Sequence, residues 1–106
     1  MEINRYAILE GTKVVSCSLL KWATCFENIK NRVIKKTNVT KTIEVSTVFL
    51  GINHNFLQTT DNVEHGLWFE TMIFGGSLDG DTARASTYEE ALKCHERAVN
   101  YVKDEL

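Results

Sequence analysis

Two stretches of the chain fail to alternate between apolar and polar positions, and that failure is the most informative feature of the sequence. Val45-Ser46-Thr47-Val48-Phe49-Leu50-Gly51-Ile52 and Leu67-Trp68-Phe69-Glu70-Thr71-Met72-Ile73-Phe74 have the β-branched and aromatic content of strands. A strand with one wet face reads apolar and polar in turn. From Val48 onward these are apolar on both sides, so each face of their sheet is expected to meet something: helices on one side, a partner or ligand on the other. The lower half of the first strand does alternate, with Ile43 and Val45 on one side and Thr42 and Glu44 on the other. The sheet is therefore expected to be wet at one end and dry at the other.

The remaining elements follow from shorter signals. Residues 3–9 and 12–17 are β-prone runs around Glu10-Gly11, a tight-turn signature. Ser16 or Ser18 can cap a helix in which Leu19, Trp22, Ala23 and Phe26 fall at i, i+3, i+4 and i+7, which predicts a buried stripe with Trp22 and Phe26 in the core. Residues 31–52 read as two strands joined near Thr37-Asn38-Val39-Thr40. Residues 53–66 form a polar loop, long for a hairpin connection, of a kind that tends to be functional or mobile. After the strand at 67–74 and Gly75-Gly76, a second loop over 77–85 leads to the best-signalled helix. Ser86 with Glu89, or Thr87 with Glu90, makes a capping box there. Ala91, Leu92, His95, Ala98, Val99 and Val102 line one helix face as far as about Lys103. The expected fold is a single α+β domain over residues 1–106: an antiparallel sheet of about four to five strands with two helices packed on one face.

Composition narrows the class without naming a function. At 106 residues, 43% hydrophobic and 25% charged, the chain is one ordinary globular domain near the size where oligomerisation often adds stability. No apolar run approaches the roughly 20 residues of a membrane span, and the first residues lack a secretory leader, so the chain reads as cytoplasmic with no membrane partner. Lys103-Asp104-Glu105-Leu106 spells an endoplasmic-reticulum retention signal, and Asn38-Val39-Thr40 a glycosylation sequon. Both are discounted in that compartment. Cys17, Cys25 and Cys94 form no C-x-x-C pair and read as small buried apolar residues. Net charge is −2, but residues 1–60 carry eight Lys/Arg against four Asp/Glu and residues 61–106 four against ten. The acid-free basic stretch holding Lys30, Arg32, Lys35, Lys36 and Lys41 lacks interleaved aromatics, so it reads as a solvated hairpin and a nucleic-acid partner is not expected.

Standard site chemistry is thin. His54, His65 and His95 share no metal-ligand spacing. Asp79-Gly80-Asp81 starts like a calcium loop but lacks the later ligands, and Gly75-Gly76 does not open a helix as a phosphate cradle would. No metal or cofactor is expected. What remains is a constellation: Asn53, His54 and Asn55 end one apolar strand, Glu70 sits within the other, and Asp79 and Arg84 follow in the loop. A carboxylate among Trp68, Phe69, Met72 and Phe74 is costly to bury unpaired, so Glu70 is expected to find Arg84, His54 or a subunit partner. The six are the candidate ligand-binding residues, with a structural tie that fixes register or an oligomer interface as the alternative. His95 reads as a satisfied core histidine.

The motifs Val45-Ser46-Thr47-Val48-Phe49-Leu50-Gly51 with His54-Asn55-Phe56, then Leu67, Phe69-Glu70-Thr71-Met72 and Phe74-Gly75-Gly76, then Ser86-Thr87, Glu89-Glu90-Ala91 and His95, resemble a family of small uncharacterised proteins of tailed bacteriophages and prophages. A weaker likeness extends to Trp22-Ala23 and Phe26-Glu27. The chain departs from that pattern in the long polar loop between His54 and Leu67, where the family has a Gly/Pro-rich link. The resemblance implies a setting: a non-enzymatic phage accessory protein in host cytoplasm, a homo-oligomer through the second sheet face, that sequesters a small anionic ligand such as a signalling nucleotide or blocks a host protein. Two other readings stay open. One is a small hydrolase or lyase acting on a nucleotide with His54 as general base and Glu70 orienting it; the other is a virion or assembly component.

Overall fold

The computed structural model describes residues 5–25, 32–53 and 66–106. Eight elements follow in the order β1 (Ala7–Glu10), β2 (Lys13–Ser16), α1 (Leu19–Cys25), β3 (Val33–Asn38), β4 (Glu44–Phe49), β5 (Phe69–Phe74), β6 (Thr82–Ala85) and α2 (Tyr88–Asp104). The fold is α+β, with antiparallel strands throughout. The strands divide into two sheets, a β1-β2 hairpin and a four-stranded meander in the order β3-β4-β5-β6. The stretch at 82–85, expected as part of a loop, is the fourth strand of the meander. Its Thr-Ala-Arg-Ala sequence is too short and too polar to give a strand signal of its own, and pairing with β5 is what orders it.

Local chemistry explains the shorter elements. Glu10 pairs with Lys13, so Gly11 and Thr12 form a two-residue turn, and Gly11 takes the positive φ of 64° that such a turn requires at its first position. Ser18 caps α1, its Oγ accepting from the Lys21 N–H at 3.2 Å. The predicted buried stripe on this helix is not formed among the described residues. Leu19 is 54% exposed and Ala23 is exposed, while Trp22 is half-buried with its ring 5.4 Å from that of Tyr6. Phe26, expected in the core, lies outside the described residues. The physical reason is placement: α1 is seven residues long and lies beside β1, with Trp22 turned against Tyr6. Of the two helices, α2 is the one that packs on the four-stranded sheet among the described residues.

The hairpin is tied to the segment after β4. Ala7 N–H donates to the Gly51 carbonyl at 2.9 Å, Asn53 N–H donates to the Arg5 carbonyl at 2.8 Å, and Tyr6 bridges Ile52. The core beneath α2 has two apolar ends. Ala7, Phe49, Trp68, Phe69, Ala85 and Ala91 form one, and Val45, Ile73, Val99 and Val102 the other. At the far end of the sheet Gly75 adopts φ 93°, and a Cβ there would collide with the Thr42 carbonyl oxygen, so glycine is required for the close approach of the β3–β4 turn.

Helix α2 starts at Thr87, whose Oγ1 accepts from the Glu90 N–H at 3.1 Å. Glu89 and Glu90 in its first turn and Lys103 in its last complement the helix dipole. Replacing Thr87 with alanine is expected to cost about 1 kcal/mol, read as a lower urea midpoint at unchanged slope. A Thr87→Ser variant retaining wild-type stability would localise that loss to the cap hydroxyl.

Candidate functional site

Register decides which side chains share the sheet face turned away from α2. Val33, Val48, Glu70 and Arg84 form one row across the four strands, and Lys36, Ser46, Met72 and Thr82 the next, followed by Asn38, Glu44 and Phe74. Phe74 is 45% and Val33 37% exposed, Val48 and Met72 are half-buried, and no described element packs over them. The apolar second face read from the sequence is therefore a real surface, bare among the described residues. It also carries both signs of charge. Arg84 Nε donates to Glu70 Oε2 at 3.2 Å across the β5-β6 pair, and Lys36 Nζ lies 3.9 Å from Glu44 across β3-β4. These pairs are partly solvated, so each contributes well under about 1 kcal/mol to stability; their consequence is a charge pattern.

The expected partner of Glu70 is thus found in Arg84, but the six candidate residues do not converge. Asn53 is fully buried and its Oδ1 accepts from the Leu67 N–H at 3.0 Å, which joins the segment after β4 to the one before β5. Asp79 Oδ1 accepts from the Gly75 N–H at 2.7 Å, which makes it the lock of the β5–β6 turn at the opposite end of β5. His54 and Asn55 lie outside the described residues. Two residues of the basic stretch are tied to the rest of the fold. Arg32 donates to the Phe49 and Leu50 carbonyls at 3.3 and 3.4 Å, and Lys35 Nζ reaches Glu96 Oε1 at 2.7 Å.

A second polar constellation is buried between the sheet and α2. His95 is fully buried, with Nε2 2.8 Å from Thr37 Oγ1 and Nδ1 2.8 Å from Thr47 Oγ1, and Thr47 Oγ1 is 2.6 Å from Thr71 Oγ1. Three strands and the helix are joined through this one ring. Hydroxyls both donate and accept, so either neutral tautomer is satisfied. Burial pushes the His95 pKa below its ordinary value of 6.5; Lys35 nearby acts in the same direction and Glu96 opposes them. Glu96 itself is held low by its hydrogen bond to Lys35. A neutral imidazole with both nitrogens engaged by hydroxyls holds helix to sheet and has no ring atom left for a substrate. His95 was legible as a core histidine from its place on the apolar stripe. Its threonine partners were not, because only sheet register brings positions 37, 47 and 71 under one helix residue.

A groove of about 270 Å³ runs between β6 and α2, with Ile73, Ala83 and Ala98 among its apolar walls, Cys94 and Tyr101 on the helix side, and Asp81 and Arg97 as its charges. No family model, curated protein or solved structure matches the chain. Its function has to be read from these surfaces. Among the described residues no three His, Cys, Asp or Glu side chains come together in a way that could hold a metal ion, and no helix is long and apolar enough to cross a membrane.

Proposed function

We propose that the protein is a non-enzymatic binding module that works as a homo-oligomer, assembled through the face of its four-stranded sheet that no described element covers. The observation that carries this reading is the composition of that face: Val33, Val48, Met72 and Phe74 in adjoining rows, between the ion pairs Glu70–Arg84 and Lys36–Glu44. Apolar surface of this kind is unfavourable in water, and burying it against a copy of itself removes the cost on both partners. The two signs of charge favour a two-fold arrangement, in which each acid of one protomer can meet a base of the other. The binding reading is further supported by His95, whose two nitrogens are both taken by threonine hydroxyls.

The resemblance to small proteins of tailed phages and prophages supports placing this module among phage accessory factors. In that role its oligomer holds a small anionic ligand such as a signalling nucleotide, or occupies a host protein, and Arg84, 42% exposed beside Glu70, is with Lys36 one of two cations on this face for such a ligand. Native mass spectrometry of the purified chain tests the proposal. A dimer or larger closed oligomer is expected for the wild type, and a monomer with unchanged helix content for Met72→Glu, which puts a charge at the centre of the apolar rows. A wild type that stays monomeric at tens of micromolar would contradict it.

A further inference from the structure

The groove between β6 and α2 carries its charges at one end. Along α2, Ala91 packs with Ala85 and Phe69 in one apolar cluster, and Val99 with Ile73 in the other. Arg97 stands two residues before Val99, about 3 Å along the helix axis, so it comes level with Ile73. Asp81 lies beside Ile73 on the β6 side, its carbonyl accepting from the Ile73 N–H at 3.0 Å. Arg97 and Asp81 therefore flank the same end of the groove, one on each wall. Neither side chain forms an ion pair with the other or with any described residue. From there toward Ala85 the lining is uncharged, with Ala83 on one wall and Ala98 and Cys94 on the other. Arg5, Arg32, Asn53 and Gly66, and α1 through Trp22 on Tyr6, border the residues outside the described set, and all are tied to the Phe49–Phe69 end of the sheet. Four positions of β5 separate Phe69 from Ile73, about 13 Å along the strand. The charged end of the groove is the end remote from them.

We propose that this groove binds a single free α-amino acid with an aliphatic side chain, its carboxylate held by Arg97 and its ammonium by Asp81. At about 270 Å³ the space falls below the roughly 300–1,000 Å³ of sites for drug-sized ligands, which sets the scale of the occupant. An unpaired cation and an unpaired anion on opposite walls call for a ligand that carries both charges close together, and an α-amino acid carries them on one carbon. A ligand with negative charge alone would meet Asp81 as like charge on like charge. That separates this groove from the anionic ligand proposed for the opposite sheet face. Beyond the charged end, the walls at Ala83 and Ala98 offer no polar partner, so the group that enters there is apolar and gains by leaving water. The site lies on the α2 side of the sheet and does not rest on self-association through the other face.

The test is a titration with L-leucine followed by two-dimensional amide NMR. Saturable shifts centred on residues 81–83 and 94–101 are expected, with a Kd below about 1 mM. 4-Methylpentanoate, which lacks the ammonium, and isopentylamine, which lacks the carboxylate, should each bind at least about tenfold more weakly. Glycine, which lacks the side chain, should also bind more weakly. Arg97→Gln, a change on an exposed helix surface, should weaken leucine about tenfold yet bind isopentylamine no worse than the wild type does. Asp81→Asn should weaken leucine by a similar factor and bind 4-methylpentanoate no worse. Ala83→Phe, which fills the groove from an exposed strand position, should abolish the leucine shifts. Met72→Glu should bind leucine as the wild type does, which keeps this outcome distinct from failure of the oligomer. No saturable shift by about 20 mM leucine, analogues that bind as tightly as leucine, or either charge variant binding leucine unchanged would overturn the proposal.

Discussion

Replacing His95 with alanine is expected to lower stability by about 2–4 kcal/mol, because it opens a cavity under α2 and leaves the Thr37 and Thr47 hydroxyls without their common partner. Thr47 and Thr71 keep each other at 2.6 Å, which limits the loss. The same ring gives the fold a pH dependence of defined sign. Since burial lowers the folded-state pKa of His95 below 6.5, the unfolded chain takes up the proton first as pH falls. The stability His95 contributes is present in full above about 6.5 and declines below it, by up to about 1.4 kcal/mol per pH unit until the folded-state value is reached. Urea denaturation at pH 7.5 and 5.5 should therefore show a larger drop for the wild type than for His95→Asn, which offers polar atoms that do not titrate. Equal drops in the two proteins would remove His95 as the source.

The second large effect is expected at Phe69. Its ring is fully buried at the start of β5, 5.2 Å from Phe49 and edge-on to Tyr88 at 6.2 Å, so it joins the sheet to the first turn of α2. Phe69→Ala should cost about 3–5 kcal/mol. Against a total of about 5–15 kcal/mol, that leaves the domain close to unfolding at body temperature. Phe69→Leu keeps most of the volume and should cost less than about 1.5 kcal/mol. A calorimetric comparison of the two melting points checks the contrast, and similar melting points would place the weight of the core elsewhere.

How much of this was legible in the sequence depends on the range of the interaction involved. The β1-β2 turn at Gly11, the strand pair joined near residues 37–40 and helix α2 with its Thr87 cap are set by neighbours within a few positions, and each was readable. The α1 stripe misled because periodicity says which side chains share a face, not whether anything packs against it. Leu19 and Ala23 share theirs with Trp22 and remain exposed. β6 escaped detection because a four-residue edge strand takes its conformation from β5. For the site, the demand that Glu70 be paired came from the cost of a lone carboxylate among apolar residues, and Arg84 meets it through register. The same register separates Asp79 and Asn53 from that pair, and the composition of neither segment could reveal this. The Thr37–His95–Thr47–Thr71 chain is the extreme case, four residues from four elements with no mutual spacing in sequence.

In the proposed assembly, the sheet face bearing Met72 and Phe74 is covered by another copy of the chain. Hydroxyl-radical footprinting at rising protein concentration reads that face directly, because methionine and phenylalanine side chains oxidise readily when solvent reaches them. Oxidation of Met72 and Phe74 is expected to fall as concentration rises, while that of Tyr101, on the opposite side of the sheet, stays level. Labelling of Met72 and Phe74 that is independent of concentration, in a protein that sediments as a monomer throughout, would contradict the account.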